Sequence, residues 1–194
     1  MKLPIWISII CLTLVSTSCN APPKKEHQLN EESKEAAALE TPLAKTTLIQ
    51  TNGKEVGFIE IRQSKQGGLD LHVKAFDLPP GTHGFHIHEV GLCQKPDFET
   101  AGSHFNPTQR EHGFDNPKGH HAGDMPNLEV GADGKVDVVV NVPDANLKEG
   151  PNALLDQDGS SFIIHADADD YLSNPSGNSG KRIVCGALTK EMVK

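Results

Sequence analysis

The side chains His86, His88, His104, His112, His121, Asp124 and His165 form a run of metal-ligand types along one stretch of the chain. Imidazole suits zinc, copper, iron and nickel, so this many histidines in one domain point to borderline transition metals and away from calcium or magnesium. The spacing divides the set into two metal sites. In the segment HGFHIHE a strand period of two puts His86 and His88 on one face and Phe85 and Ile87 on the other. With the apolar pair turned to a core, the histidines face outward. The segment SSFIIHA repeats the pattern, with Phe162 and Ile164 opposed to Ile163 and His165. Two strands can thus offer three histidines from the outer wall of a sheet. His104, His112, His121 and Asp124 lie between them, in a stretch rich in Gly, Pro and Asn without strand or helix period. Such a loop needs tying down, and a metal is the tie.

The elements that must position these residues read as strands. Leu69, Leu71, Val73 and Ala75 share one face of an alternating segment, as do Val136, Val138, Val140 and Val142. Asn52-Gly53, Gly67-Gly68, Pro80-Gly81, Asp133-Gly134 and Asp158-Gly159 punctuate the chain as turns, and no long amphipathic helix appears. Periodicity alone predicts an all-β sandwich or barrel.

The chain divides into three parts. Residues 1–19 carry Lys2, an apolar run from Ile5 to Val15 and then Ser16-Thr17-Ser18-Cys19. The run is shorter than the roughly 20 apolar residues a membrane span takes, and fits a secretory signal. The residues before Cys19 resemble a bacterial lipoprotein cleavage box, with Ser16 where that pattern has Leu. This implies lipidation of Cys19 and a membrane-anchored, extracytoplasmic protein at the cell surface or in the periplasm, or a secreted one without the lipid. Residues 20–43 are polar and rich in Lys, Glu, Ala and Pro, apart from a short EAAALE piece, and read as a flexible tether. Residues 44–194 are one domain's worth, long enough to bury a core, with no internal repeat. With 18 basic and 26 acidic residues and a formal net charge of −8, nucleic acid is excluded as a partner.

The segments GFHIHEVGLC, AGSHFNP, HHAGD, IIHADADD and GNSGKRIVCGAL together resemble the copper,zinc superoxide dismutase family. The resemblance spans roughly Leu43 to Leu188. It implies an eight-stranded Greek-key β-barrel with the metals on its outer wall under two long loops, a zinc and disulfide loop and a rim loop over the active site. By resemblance, copper is held by His86, His88, His104 and His165, and zinc by His104, His112, His121 and Asp124, one ion of each per subunit. His104 is then shared, and the resemblance implies that it carries a proton in the reaction. His120 neighbours His121, and the family's ligand stands three before the aspartate, which selects His121. Arg182 matches the arginine beside copper that docks a small anion. Asp169 matches the carboxylate linking a copper histidine to a zinc histidine, here His86 and His112. His83 matches a structural residue, His72 reads as an ordinary strand histidine, and His27 lies in the tether.

Cys11 falls in the signal and Cys19 is the lipid candidate, which leaves Cys93 and Cys185 as a pair in an exported chain. The family's disulfide joins the same two places. Closing so long a loop stabilises the fold by ~4 to 5 kcal/mol in the chain-entropy model.

The implied activity is conversion of superoxide to oxygen and hydrogen peroxide by copper redox cycling, in a monomer or homodimer. Two alternatives share the fold: a copper-free structural or zinc-binding relative, and a copper carrier. The full set of four copper histidines counts against the first. Arg182 and a zinc lock, which a carrier does not need, count against the second. The chain departs from many members of the family in the stretch from Tyr171 to Gly180, which carries no charge. Lys181 is the nearest substitute for their steering residues.

Overall fold

The computed structural model describes residues 42–193. The signal, Cys11, Cys19, His27 and the tether up to residue 41 lie outside the described residues. Strand pairing begins at Leu43, whose N–H donates to the Ile61 carbonyl at 2.8 Å.

The alternating segments form strands β1 (Ala44–Gln50), β2 (Glu55–Gln63), β3 (Leu69–Ala75), β4 (Gly81–His83), β5 (Phe85–His88), β6 (Leu128–Val130), β7 (Val136–Val142), β8 (Ser160–His165) and β9 (Arg182–Leu188). The helical content of the described residues is two short 3-10 turns, Glu99–Ala101 and Lys190–Met192. One antiparallel sheet runs β5-β8-β9-β1-β2-β3-β7, and β4 pairs with β6 in a second. Neighbours distant in sequence, β9 with β1 and β3 with β7, require the crossing connections of a Greek key. β4 and β5 are one run of chain broken at Gly84, pairing with β6 before the break and β8 after it. Counted so, the barrel has the eight strands expected. A Cβ at Gly84 would sit 2.7 Å from the Ser179 Cβ, so glycine at the break lets the segment carrying Ser179 pack close against it.

The inward faces build the core. Leu48, Ile59, Ile61, Leu69, Leu71, Val73, Phe85, Ile87, Phe162, Ile164, Val184 and Leu188 are fully buried in one cluster. Val138 is an exception to the alternation, at 38 % exposed. It sits midway along β7, which has a hydrogen-bonded neighbour on one side only. A smaller cluster of Phe98, Ala101, Ile163 and Cys185 lies on the other face of the sheet. The Cys93–Cys185 disulfide stitches it, with Cα atoms 5.8 Å apart. The loop carrying Phe98 and Ala101 is thereby fastened against the outward faces of β8 and β9, beside the histidines.

Candidate metal centre

β5 presents His86 and His88 outward, as its period requires, while Phe85 and Ile87 enter the core. In the antiparallel register Phe85 opposes Ile164, which brings His165 at the end of β8 alongside. The His86 and His165 rings lie 4.8 Å apart. His104 arrives because residues 103–105 run along the free edge of β5: Glu89 N–H donates to the Ser103 carbonyl at 3.0 Å and Phe105 N–H to the Ile87 carbonyl at 2.8 Å. Ile87 N–H donates in turn to the Gly123 carbonyl at 2.8 Å, so Asp124 sits opposite His86. Backbone pairing thus delivers both candidate loop ligands, His104 and Asp124, to the strand.

Ligand-type atoms of His86, His88, His104 and His165 lie within 4.8 Å of one another, all four residues buried. One nitrogen of each ring is fixed by the protein. His86 Nε2 meets Asp169 Oδ2 at 2.7 Å, His88 Nδ1 donates to the Gly102 carbonyl at 2.9 Å, His104 Nδ1 meets Asp124 Oδ1 at 2.9 Å and His165 Nδ1 donates to the Gly180 carbonyl at 3.2 Å. The other nitrogens, His86 Nδ1, His88 Nε2, His104 Nε2 and His165 Nε2, are buried without a hydrogen-bond partner. Buried polar atoms are rarely left so. A cation that accepts all four lone pairs accounts for the group, and the fixed nitrogens orient the rings as partners of metal ligands do. Burial is the main cause that pushes His86, His104 and His165 down to about 4, and neighbouring histidines add to it. His88 is also pushed down, chiefly by burial and then by His104. Neutral rings keep their lone pairs available at ordinary pH.

The second group, His104, His112, His121 and Asp124, is equally close and buried. Asp124 Oδ1 lies 2.9 Å from His104 Nδ1, 2.9 Å from His112 Nδ1 and 3.1 Å from His121 Nδ1, while the Nδ1 atoms of His121 and His104 are 3.3 Å apart. One carboxylate oxygen cannot satisfy three rings that also crowd each other. Three imidazoles and one carboxylate suit a tetrahedral zinc-type site. Asp124 Oδ2 accepts the N–H groups of Gly113 and His121 at 2.9 and 3.0 Å, which pins the loop to its own ligand. Burial would raise the Asp124 carboxyl, but its contacts with His104, His112 and His121 outweigh this and hold it far below the usual range. Burial would likewise lower His112, yet Asp124 and Asp169 together raise it to about 9.

Asp169 joins the two groups, with Oδ2 on His86 and Oδ1 on His112 Nε2 at 2.9 Å. His120 stays outside: its Nδ1 donates to the His121 carbonyl at 2.8 Å and its ring packs on Phe114. His83 is buried between the His165 and Pro79 carbonyls, each 2.8 Å away, and His72 meets Asp137 on the outer face.

A cleft of about 560 Å³ opens over His88, His104 and His165 and is flanked by Lys181 and Arg182. Arg182 is clamped, with Nη1 on the Phe98 carbonyl and Nη2 on the Gly102 carbonyl, both at 2.7 Å. Gly102 therefore serves His88 and Arg182 with one oxygen. At φ 75° it holds a backbone conformation that favours glycine, and a Cβ there would have to push the Glu89 side chain aside from 2.8 Å. Glu89 and Glu99 also line the cleft. Sequence reasoning did not find Gly102 or these two glutamates. The AGSH motif was the available signal for Gly102, and nothing local turns the glutamates toward the cleft.

The family model for copper/zinc superoxide dismutase (SODC) matches residues 55–188. The chain belongs to the copper/zinc superoxide dismutase family. Among its relatives, the superoxide dismutase-like protein YojM of Bacillus subtilis is 65 % identical over 143 residues, 73 % of each chain. Superoxide dismutase [Cu-Zn] 1 of Aquifex aeolicus is 44 % identical, covering 73 % of this chain and 84 % of its own. A solved double mutant of a SOD-like protein from Bacillus subtilis, with a tyrosine and a proline each changed to histidine, superposes with a TM-score of 0.74 at 64 % identity. It covers 75 % of this chain and 96 % of that one. The four unpartnered nitrogens and the carboxylate-centred group are donor sets that could each hold a metal ion.

Proposed function

We propose that this chain is an extracytoplasmic superoxide dismutase, converting two superoxide anions and two protons to one oxygen and one hydrogen peroxide. His86, His88, His104 and His165 would hold copper, and His104, His112, His121 and Asp124 would hold zinc. The observation that carries this reading is the set of four buried, unpartnered ring nitrogens, three of them on histidines that line the Arg182 cleft. Copper, when bound, alternates between two oxidation states, taking an electron from one superoxide and giving it to the next; zinc is redox-inert and serves structure.

The chain's own residues do the rest. Arg182, fixed by two carbonyls, presents its guanidinium edge to a small anion without having to order itself first. His104 Nε2 is the atom at which a proton can be held and passed to the reduced product, because His104 Nδ1 is engaged on the Asp124 side. Asp169 keeps His86 and His112 in step.

The name SOD-like, borne by the Bacillus subtilis relative, makes a direct assay essential. Metal analysis and a superoxide assay on the purified protein test the reading together. Copper and zinc near one each with fast dismutation is the expected result. A protein that binds zinc alone, or binds copper without turnover, would refute it in favour of a structural relative or a carrier. The N-terminal expectation, lipidation at Cys19 and membrane attachment, is tested by mass spectrometry of the mature N-terminus and by fractionation of cells carrying Cys19→Ala.

A further inference from the structure

Tyr171 stands in the rim loop with φ 59°, a left-handed conformation that a bulky residue adopts only when its surroundings hold it there. Its surroundings do so at four points. Its carbonyl accepts the Asp115 N–H at 2.9 Å and lies so close to Gly113 that a Cβ there would be 2.0 Å from it. Its ring packs on Phe114 with centroids 5.7 Å apart. Its N–H donates to Asp169 Oδ1 at 2.7 Å. Its phenol oxygen accepts the Asn127 N–H at 2.7 Å. Asn127 then grips the backbone of Asp169 from both sides: Oδ1 accepts the Asp169 N–H and Nδ2 donates to the Asp169 carbonyl, each at 2.9 Å.

We propose that Tyr171 is a positioning residue of the metal centre, clasping the rim loop to residues 113–127 so that Asp169 is held between His86 and His112. The inference rests on the reading of the two histidine groups as metal sites. Its physical basis is that Asp169 reaches His112 through the same Oδ1 that takes the Tyr171 N–H, while its backbone is fixed through Asn127. Loosening the clasp frees the carboxylate to turn, and with it the orientation and basicity of His112. Asp169 is the partner one step behind the ligands, and removing such a partner changes metal affinity by about 10- to 100-fold, which sets the upper range for loosening its support.

Tyr171→Phe keeps the ring and deletes only the acceptor for Asn127. In the full-length protein, its zinc affinity, measured by competition with a chelator, should fall about 10-fold. Cobalt(II) bound in place of zinc should show an altered visible spectrum. Leu172→Ala, at an exposed neighbour, should change neither. Combined with Asp169→Asn, Tyr171→Phe should add nothing to the affinity loss of Asp169→Asn alone, since both act through one link. Three results overturn the inference: a cobalt spectrum and zinc affinity like the unmutated protein's, a lowered melting temperature with both unchanged, or losses that simply add in the double variant. If the unmutated protein takes up neither zinc nor cobalt, the metal-site reading itself fails and carries the inference with it.

Discussion

Asp124 concentrates more of the site than any other side chain, with one oxygen among three rings and the other on two backbone N–H groups. Asp124→Ala should therefore release zinc and cost about 3 to 5 kcal/mol, the range for breaking a buried charged network. Calorimetry with metal analysis checks this; full zinc with an unchanged melting temperature would contradict the assignment. The histidines also set how the metal-free protein responds to acid. His86, His104 and His165 fall from an ordinary 6.5 to about 4 in the folded chain. Between those values the unfolded chain takes up protons that the folded chain refuses, so stability drops as pH falls through that window. Asp124 and Asp169, held below the usual carboxylate range, extend the loss to stronger acid. His112 works at the other end: raised to about 9, its contribution is complete below 6.5 and lost as pH rises through 9. Urea unfolding of the metal-free protein across pH should show greatest stability near neutrality, and a flat profile from pH 4 to 7 would count against the burial of these rings.

At the scale of elements, β8 shows how one strand serves two purposes. Phe162 and Ile164 enter the core while Ile163 and His165 face the loops. Phe162→Ala should destabilise by ~3 to 5 kcal/mol, read from denaturant unfolding. His165→Ala should keep its circular dichroism spectrum and lose turnover; retained activity would require the copper site to be drawn elsewhere. This division was legible in the sequence, because a period of two is written into SSFIIHA and GFHIHE. So were the grouping of loop ligands and the Cys93–Cys185 link, since their side chains are chemically distinctive. The Phe98 and Gly102 carbonyls that fix Arg182 were not, because every residue has a carbonyl and only the fold says which one matters. The clasp between Asn127 and Tyr171 escaped for a related reason: its partners are 44 residues apart, and one of them contributes a backbone N–H. The sheet switch at Gly84 leaves no mark in the alternation, which runs through it unbroken.

On the scale of the whole molecule, an acidic chain must receive an anion. Lys181 and Arg182 flank the cleft, but Glu89 and Glu99 line it too, so the local field is a balance. Screening acts over ~10 Å at 0.1 M salt. If the cationic pair prevails, kcat/KM falls as salt rises, Lys181→Glu flattens or reverses that dependence, and Glu99→Gln raises the rate severalfold at low salt. Pulse radiolysis at several ionic strengths is the check; a rate that climbs with salt in the unmutated protein would show the acidic background in control. The covering of β5 reaches further than catalysis. On one side β5 pairs with β8; on the other, its backbone groups are taken by residues 103–105 and by Gly123, at the proposed metal ligands His104 and Asp124. A strand edge with its hydrogen-bonding groups bare is a template for pairing with another chain. The ions that would make the centre reactive would also keep this edge shut, so a chain stripped of them should self-associate through β5 in a concentration-dependent way. Light scattering should show this growth after chelation and its reversal by zinc alone, whereas a stripped protein that stays monodisperse would mean that the strap holds without its metals.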